Sequence, residues 1–84
     1  MTPVSAQVSL YPVQAPSMTP AIGEALEIFE RWGLRVNPGP MSTVVTGDDV
    51  QVFAALQEIY RLNADRGPVI LTVTLSNACP TPGS

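Results

Sequence analysis

Hydrophobic and polar positions change period four times along the chain. Val4 to Val13 alternates: Val4, Ala6, Val8 and Leu10 fall on one side, Ser5, Gln7, Ser9 and Tyr11 on the other. That period of two predicts a half-buried strand, ended by Pro12 and Pro16. Thr19-Pro20 opens a helix, with Thr19 as N-cap and Pro20 in the first helical position. Ile22, Leu26 and Phe29, with Ala25 beside them, recur at helical spacing. Glu24, Glu27 and Arg31 take the opposite face, and Glu27 to Arg31 is a favourable i,i+4 pair. Gly33 stands where a left-handed residue closes a helix.

A short strand over Leu34 to Asn37 follows, then a turn at Pro38-Gly39-Pro40 and a β-branched third strand, Met41 to Thr46. Gly47-Asp48 opens a second helix, and Asp48 with Gln51 three residues on has the form of a capping box. Its stripe is Val52, Leu56, Ile59 and Asn63, widened by Phe53 and Tyr60. Gly67-Pro68 stops it. Val69 to Ser76 alternates again, and Ala78 to Ser84 reads as a tail. The order β-α-β-β-α-β predicts an α+β, ferredoxin-like fold. Right-handed crossovers place both helices on one face of a four-stranded antiparallel sheet. Residues 1–84 form one domain in this reading, with an ordered core of about 4–79.

Composition then narrows the chemistry. The chain has 84 residues, 45% hydrophobic and 13% charged, with net charge −3. A domain this short buries only about 60–65% of its unfolded surface, so oligomerisation is a common remedy. There is no His and no Lys, which excludes His-based triads, His-ligated zinc, Schiff-base lysines and the P-loop lysine. Cys79 is the single cysteine, so neither an internal disulfide nor a Cys-pair metal site is expected. The acidic balance argues against nucleic acid as partner. No targeting segment is expected: Met1 to Gly23 has no basic start, and its prolines break any apolar helix. The longest apolar stretch is too short to span a bilayer, so the default is a cytoplasmic protein. With no paired catalytic groups, no enzyme activity, metal or cofactor is expected.

Ten of the eleven charged residues fall in the helices or at their ends, and only Arg35 is on a predicted strand. The outer sheet face therefore shows Ser5, Gln7, Ser9, Tyr11, Ile70, Thr72, Thr74 and Ser76. A solvated sheet face usually carries Lys and Glu. This hydroxyl-rich, uncharged face predicts coverage by another subunit, in a homodimer or homotetramer formed through the sheet.

Fold alone assigns no function. An RNA-recognition motif needs stacking aromatics and a basic surface, and only Tyr11 faces correctly here. The loop Pro12 to Met18 has neither the arginine of an acylphosphatase-type site nor the cysteine pair of a copper chaperone. Four segments do carry a resemblance: Val8-Ser9-Leu10-Tyr11-Pro12, Met41-Ser42-Thr43-Val44-Val45-Thr46-Gly47, Asp49-Val50-Gln51-Val52-Phe53 with Tyr60, and Ser76-Asn77-Ala78-Cys79-Pro80. In that order they resemble the YkoF-like thiamine/hydroxymethylpyrimidine-binding proteins, as a single-repeat member, over most of Val8 to Pro80. The resemblance implies a non-catalytic binding protein for thiamine or its hydroxymethylpyrimidine precursor, serving as carrier, supply protein or sensor. A second copy of the chain would stand in for the second repeat that YkoF carries.

Such a ligand needs fixed donors and acceptors, apolar walls, and aromatic faces for a cation. Ser9, Ser42, Thr43, Ser76 and Asn77 supply hydroxyls and an amide, Tyr11 an aromatic face, and Cys79 a small apolar neighbour. Trp32, Phe53 and Tyr60 are further aromatic candidates. Each has a plainer role too: Tyr11 at a subunit interface, Ser9 and Thr43 in cross-strand bonds, Asp48 as a cap, Trp32 and Tyr60 as core, Asn77 as a turn residue. The alternative function is an oligomeric interaction or regulatory domain with no thiamine-type ligand.

Overall fold

A computed structural model describes residues 2–13, 19–39 and 42–78. The elements are β1 (Pro3–Pro12), α1 (Thr19–Arg31), β2 (Arg35–Pro38), β3 (Thr43–Asp48), α2 (Asp49–Ala64) and β4 (Val69–Ser76). The four strands pair antiparallel in the order β2-β3-β1-β4. This is the expected ferredoxin-like α+β arrangement, with both helices packed on the sheet.

Alternation in β1 is realised as read. Ala6, Val8 and Leu10 are buried beneath the helices, and Val45 of β3 lies opposite Ala6. The register sets out the opposite face in rows: Arg35, Thr46, Ser5 and Ser76; then Asn37, Val44, Gln7 and Thr74; then Ser9 and Thr72; then Tyr11 and Ile70. Arg35 is the one charged side chain in these rows. On this face Ser5 Oγ lies 3.4 Å from Thr46 Oγ1, and Gln7 Nε2 donates to Ser42 Oγ at 3.1 Å.

The helices hold the corrections. The α1 stripe is Ala21, Ala25, Ile28 and Phe29: Ala25 and Phe29 are buried as expected, with Ala21 and Ile28 in place of Ile22 and Leu26. Two alanines let the helix lie close on the sheet, which rotates Ile22 outward to 39% exposure. Full burial of Phe29 contributes about 1.5–3 kcal/mol. In α2 the stripe Val52, Leu56, Ile59 and Asn63 is buried as expected, and Asn63 Nδ2 donates to the Ile59 carbonyl at 2.9 Å. Phe53 and Tyr60 do not widen it; both are exposed.

Helix ends also differ in detail. Gly33, at φ 74°, closes α1: its N–H donates to Glu30 O at 2.9 Å, and Leu34 N–H to Phe29 O at 3.2 Å. These two bonds satisfy carbonyls the helix leaves open. Asp48 ends β3 and stands at the N-cap position of α2, as expected. It precedes α2 with extended backbone but makes no side-chain cap bond. Its Oδ1 accepts from Thr2 N–H at 3.0 Å, while Asp49 N–H donates to Thr2 O at 2.9 Å. The expected capping box is thus replaced by a clamp on the start of β1. Arg31 pairs with Glu58 of α2 at 2.5 Å rather than with Glu27, because Trp32 Nε1 already holds that carboxylate at 3.1 Å. Arg66 forks onto Glu24 at 2.6 and 2.8 Å. Both bridges tie α1 to α2 and the turn after it. Their partners hold the Glu58 and Glu24 carboxyls below the usual carboxylate range.

Candidate functional site

A mismatch of strand lengths creates the pocket. β1 pairs with β3 only from Pro3↔Asp48 to Val8↔Thr43, yet it pairs with β4 onward to Pro12↔Val69. Beyond Val8, one edge of β1 therefore has no strand partner among the described residues. Gly39 N–H donates to Ser42 O at 2.9 Å and folds the β2–β3 connection beside that bare edge. Helix α1 closes the third side with Ile22, Ala25 and Phe29. The result is a pocket of about 150 Å³, lined by Val8 to Tyr11, those three α1 side chains, Gly39, Ser42 and Thr43.

Its chemistry follows from this construction. Val8, Leu10, Ile22, Ala25 and Phe29 give apolar walls. The Thr43 hydroxyl, on the same side of the sheet as its partner Val8, and the backbone groups of Ser9 to Tyr11 give hydrogen-bonding capacity, while the Ser9, Tyr11 and Ser42 side chains belong to the opposite face and border the pocket at the bare edge. None of the described lining residues is charged. The arrangement suits a flat, neutral, partly polar ring. A cavity of this volume is in the class that holds one benzene ring.

Four of the candidate residues, Ser9, Tyr11, Ser42 and Thr43, meet at this pocket. Ser76 and Asn77 do not join them in the chain. Ser76 pairs with Ser5, four residues and about 13 Å along β1 from Ser9. There Ser76 Oγ accepts from Ala78 N–H at 3.0 Å, which turns the chain after β4. Cys79 and Met41 lie outside the described residues. The other aromatic candidates are elsewhere too: Trp32 is held by Glu58, and Phe53 and Tyr60 are on exposed faces of α2. Sequence reasoning missed the α1 wall and the backbone edge of β1. The signal for the edge was present in the ten-residue first strand facing a shorter third one.

Among the described residues no group of three or more His, Cys, Asp or Glu could hold a metal ion. No described helix is long and apolar enough to cross a membrane.

The sequence model of the YKOF-related family matches residues 3–82. The chain belongs to that family. A search of curated proteins gives no match. Among solved structures, the hypothetical protein MJ1052 of Methanocaldococcus jannascii is similar with TM-score 0.85 and 23% identity, covering 100% of this chain and 89% of that one. TM0486 of Thermotoga maritima, described as a candidate thiamine biosynthesis/salvage protein, gives TM-score 0.75 and 20% identity, covering 88% of this chain and 82% of that one. A domain of unknown function, DUF77, from Bacillus cereus gives TM-score 0.75 and 20% identity over 99% of this chain and 82% of that one. At these identities the likeness establishes the fold.

Proposed function

We propose, from membership of the YKOF-related family and the neutral pocket at the end of β1, that the protein binds an aminopyrimidine non-covalently. The ligand is hydroxymethylpyrimidine or the pyrimidine half of thiamine. The protein acts as carrier, supply protein or sensor, without catalysis and with no cofactor of its own. The description of TM0486 as a thiamine biosynthesis/salvage protein supports this reading. The observation that carries it is the convergence of Ser9, Tyr11, Ser42 and Thr43 on one apolar-walled pocket of about 150 Å³.

That volume sets a preference. Pockets for drug-sized ligands run to about 300–1,000 Å³, so one ring enters here. The thiazolium of thiamine is left at the mouth, where the half-exposed Tyr11 offers an aromatic face to its charge. A phosphate on the ligand finds no cation among the described lining residues, so phosphorylated forms gain no affinity. Coverage of the hydroxyl-rich sheet face, whose one charged side chain is Arg35 at the β2 edge, by a second copy makes the protein a homodimer or homotetramer, and the reading places it in the cytoplasm.

Ligand-induced stabilisation tests the proposal. Hydroxymethylpyrimidine at 100 times its Kd stabilises the folded state by about 2.7 kcal/mol. The melting temperature rises accordingly, and the amide resonances of Ser9 to Tyr11, Ser42 and Thr43 shift. No thermal shift, or resonance changes confined to the Ser76 and Asn77 end, would contradict it.

A further inference from the structure

Three backbone bonds at the ends of the ladders fix which way each residue of β1 faces. Val13 N–H donates to Pro68 O at 3.0 Å, which continues the β1–β4 register by one pair. Asp49 N–H donates to Thr2 O at 2.9 Å, which continues the β1–β3 register in the other direction. In an antiparallel ladder, hydrogen-bonded and non-bonded pairs alternate. The odd-numbered residues of β1 therefore turn their N–H and C=O to β4, and the even-numbered ones to β3. The bond from Gly39 N–H to Ser42 O at 2.9 Å gives β3 the same phase: its even residues bond β2, and its odd residues bond β1.

Val4, Ala6 and Val8 thus direct their backbone groups to Gly47, Val45 and Thr43. Ser9 and Tyr11 direct theirs to Thr72 and Ile70. Leu10 is next in phase after Val8, and it lies beyond the start of β3. Among the described residues its N–H and C=O have no strand partner, and Leu10 lines the pocket. Leu10 is only 8% exposed, and shielded backbone groups are costly to leave unpaired. Pro12, the next residue in phase, has no N–H. A strand added along this edge would miss a ladder bond at its second step. The open edge is therefore one donor and one acceptor, side by side, at the margin of a cavity of about 150 Å³. That suits a small flat molecule and not a further strand.

We infer that the main chain of Leu10 selects the ligand: its N–H donates to a ring nitrogen, and its C=O accepts from an amino group on the adjacent ring carbon. The ligand class is a flat ring with a cyclic amidine edge, a nitrogen acceptor beside an exocyclic amine donor. The inference rests on this pocket being the binding site proposed above, and goes further by assigning the contact to the backbone of one residue. Strand pairing on either side of Leu10 holds its two groups in fixed directions, so the match is one of geometry. A ring bonded this way lies near the plane of the sheet and continues it where β3 stops. One of its faces then rests on Ile22, Ala25 and Phe29 of α1.

Two measurements on the wild-type protein test this, one for each group. Titration calorimetry compares hydroxymethylpyrimidine with its 4-methyl counterpart, which keeps the shape and loses the amine donor. The counterpart binds at least about tenfold more weakly, because the Leu10 C=O is left unpaired. Plain 4-aminopyrimidine, which keeps the amidine edge and lacks the other substituents, still binds. Amide exchange reads the N–H. Without ligand the Leu10 amide exchanges fast, while those of Val8, Ser9 and Tyr11, bonded to β3 and β4, are slow. Saturation with hydroxymethylpyrimidine makes Leu10 slow as well. A Leu10 amide that is already slow in the free protein overturns the inference. So does equal affinity for the amino and methyl rings, which would leave the binding function itself standing. Binding of 4-aminopyrimidine with protection of Leu10, but none of hydroxymethylpyrimidine, upholds the inference and overturns the proposed ligand. No binding of any of these rings overturns both.

Discussion

Replacing Thr43 by Val removes one hydroxyl and leaves side-chain volume almost unchanged. Thr43 is the first residue of β3, half-buried, with Val8 and Pro38 as its strand partners. Both residue types are β-branched, so the strand keeps its preference and stability moves by less than about 1 kcal/mol. Binding responds differently. Loss of a hydrogen bond to the pyrimidine costs about 0.5–1.5 kcal/mol, and a ring atom left unsatisfied in the pocket raises this to about 1–3 kcal/mol. With about 1.4 kcal/mol per decade, Thr43→Val weakens hydroxymethylpyrimidine by roughly tenfold. Ser42→Ala serves as comparator. Its hydroxyl already accepts the Gln7 amide proton at 3.1 Å, so its loss has the smaller effect. Calorimetric titration of both variants beside the wild type measures the difference. An unchanged Kd for a folded Thr43→Val protein removes the Thr43 hydroxyl from the site. Loss of assembly in that variant would favour the interaction-domain alternative.

Three further outcomes follow from the fold. Phe29→Ala deletes a side chain only 1% exposed that also walls the pocket; denaturant unfolding shows a loss of about 3–5 kcal/mol, a large part of the stability of a small domain. Gly33→Ala places a Cβ at φ 74° and costs about 1 kcal/mol in the same assay, while Gly23→Ala, with open space around its Cβ inside α1, stabilises by up to about 1 kcal/mol. The Glu58 and Glu24 carboxyls are held low in the folded state by Arg31 with Trp32 and by Arg66. Their contribution is fully present above the ordinary value of 4.5 and is lost as pH falls through the lower folded values. Melting temperature therefore drops more steeply below that pH in the wild type than in the Glu24→Gln/Glu58→Gln double variant, and parallel profiles would refute the linkage.

The strands were legible because one face of each is buried, so the period of two in β1 and β4 is enforced by packing. In α1, Ala25 and Phe29 were legible, but Ile22 and Leu26 were read in place of Ile28 and Ala21, the latter a core residue through close approach and not through bulk. Phe53 and Tyr60 were assigned to the core for their hydrophobicity, whereas α2 is apolar on two faces and buries only one against the sheet. Four pocket residues were recognisable as polar groups at strand ends. Separation of Ser76 and Asn77 from them follows from antiparallel pairing, which sets the end of β4 beside the start of β1. The bare backbone edge at Ser9 to Tyr11 was signalled only by the length mismatch between β1 and β3; which end of β1 stays bare depends on register.

Calorimetric titration of hydroxymethylpyrimidine, then thiamine, into the wild-type protein freed of bound ligand by refolding is the most direct test of the binding function. The account predicts saturable heat with one site per chain, since one chain supplies the whole described pocket, and binding of hydroxymethylpyrimidine at least as tight as that of thiamine. No heat from either compound, with a folded protein confirmed by circular dichroism, would contradict it.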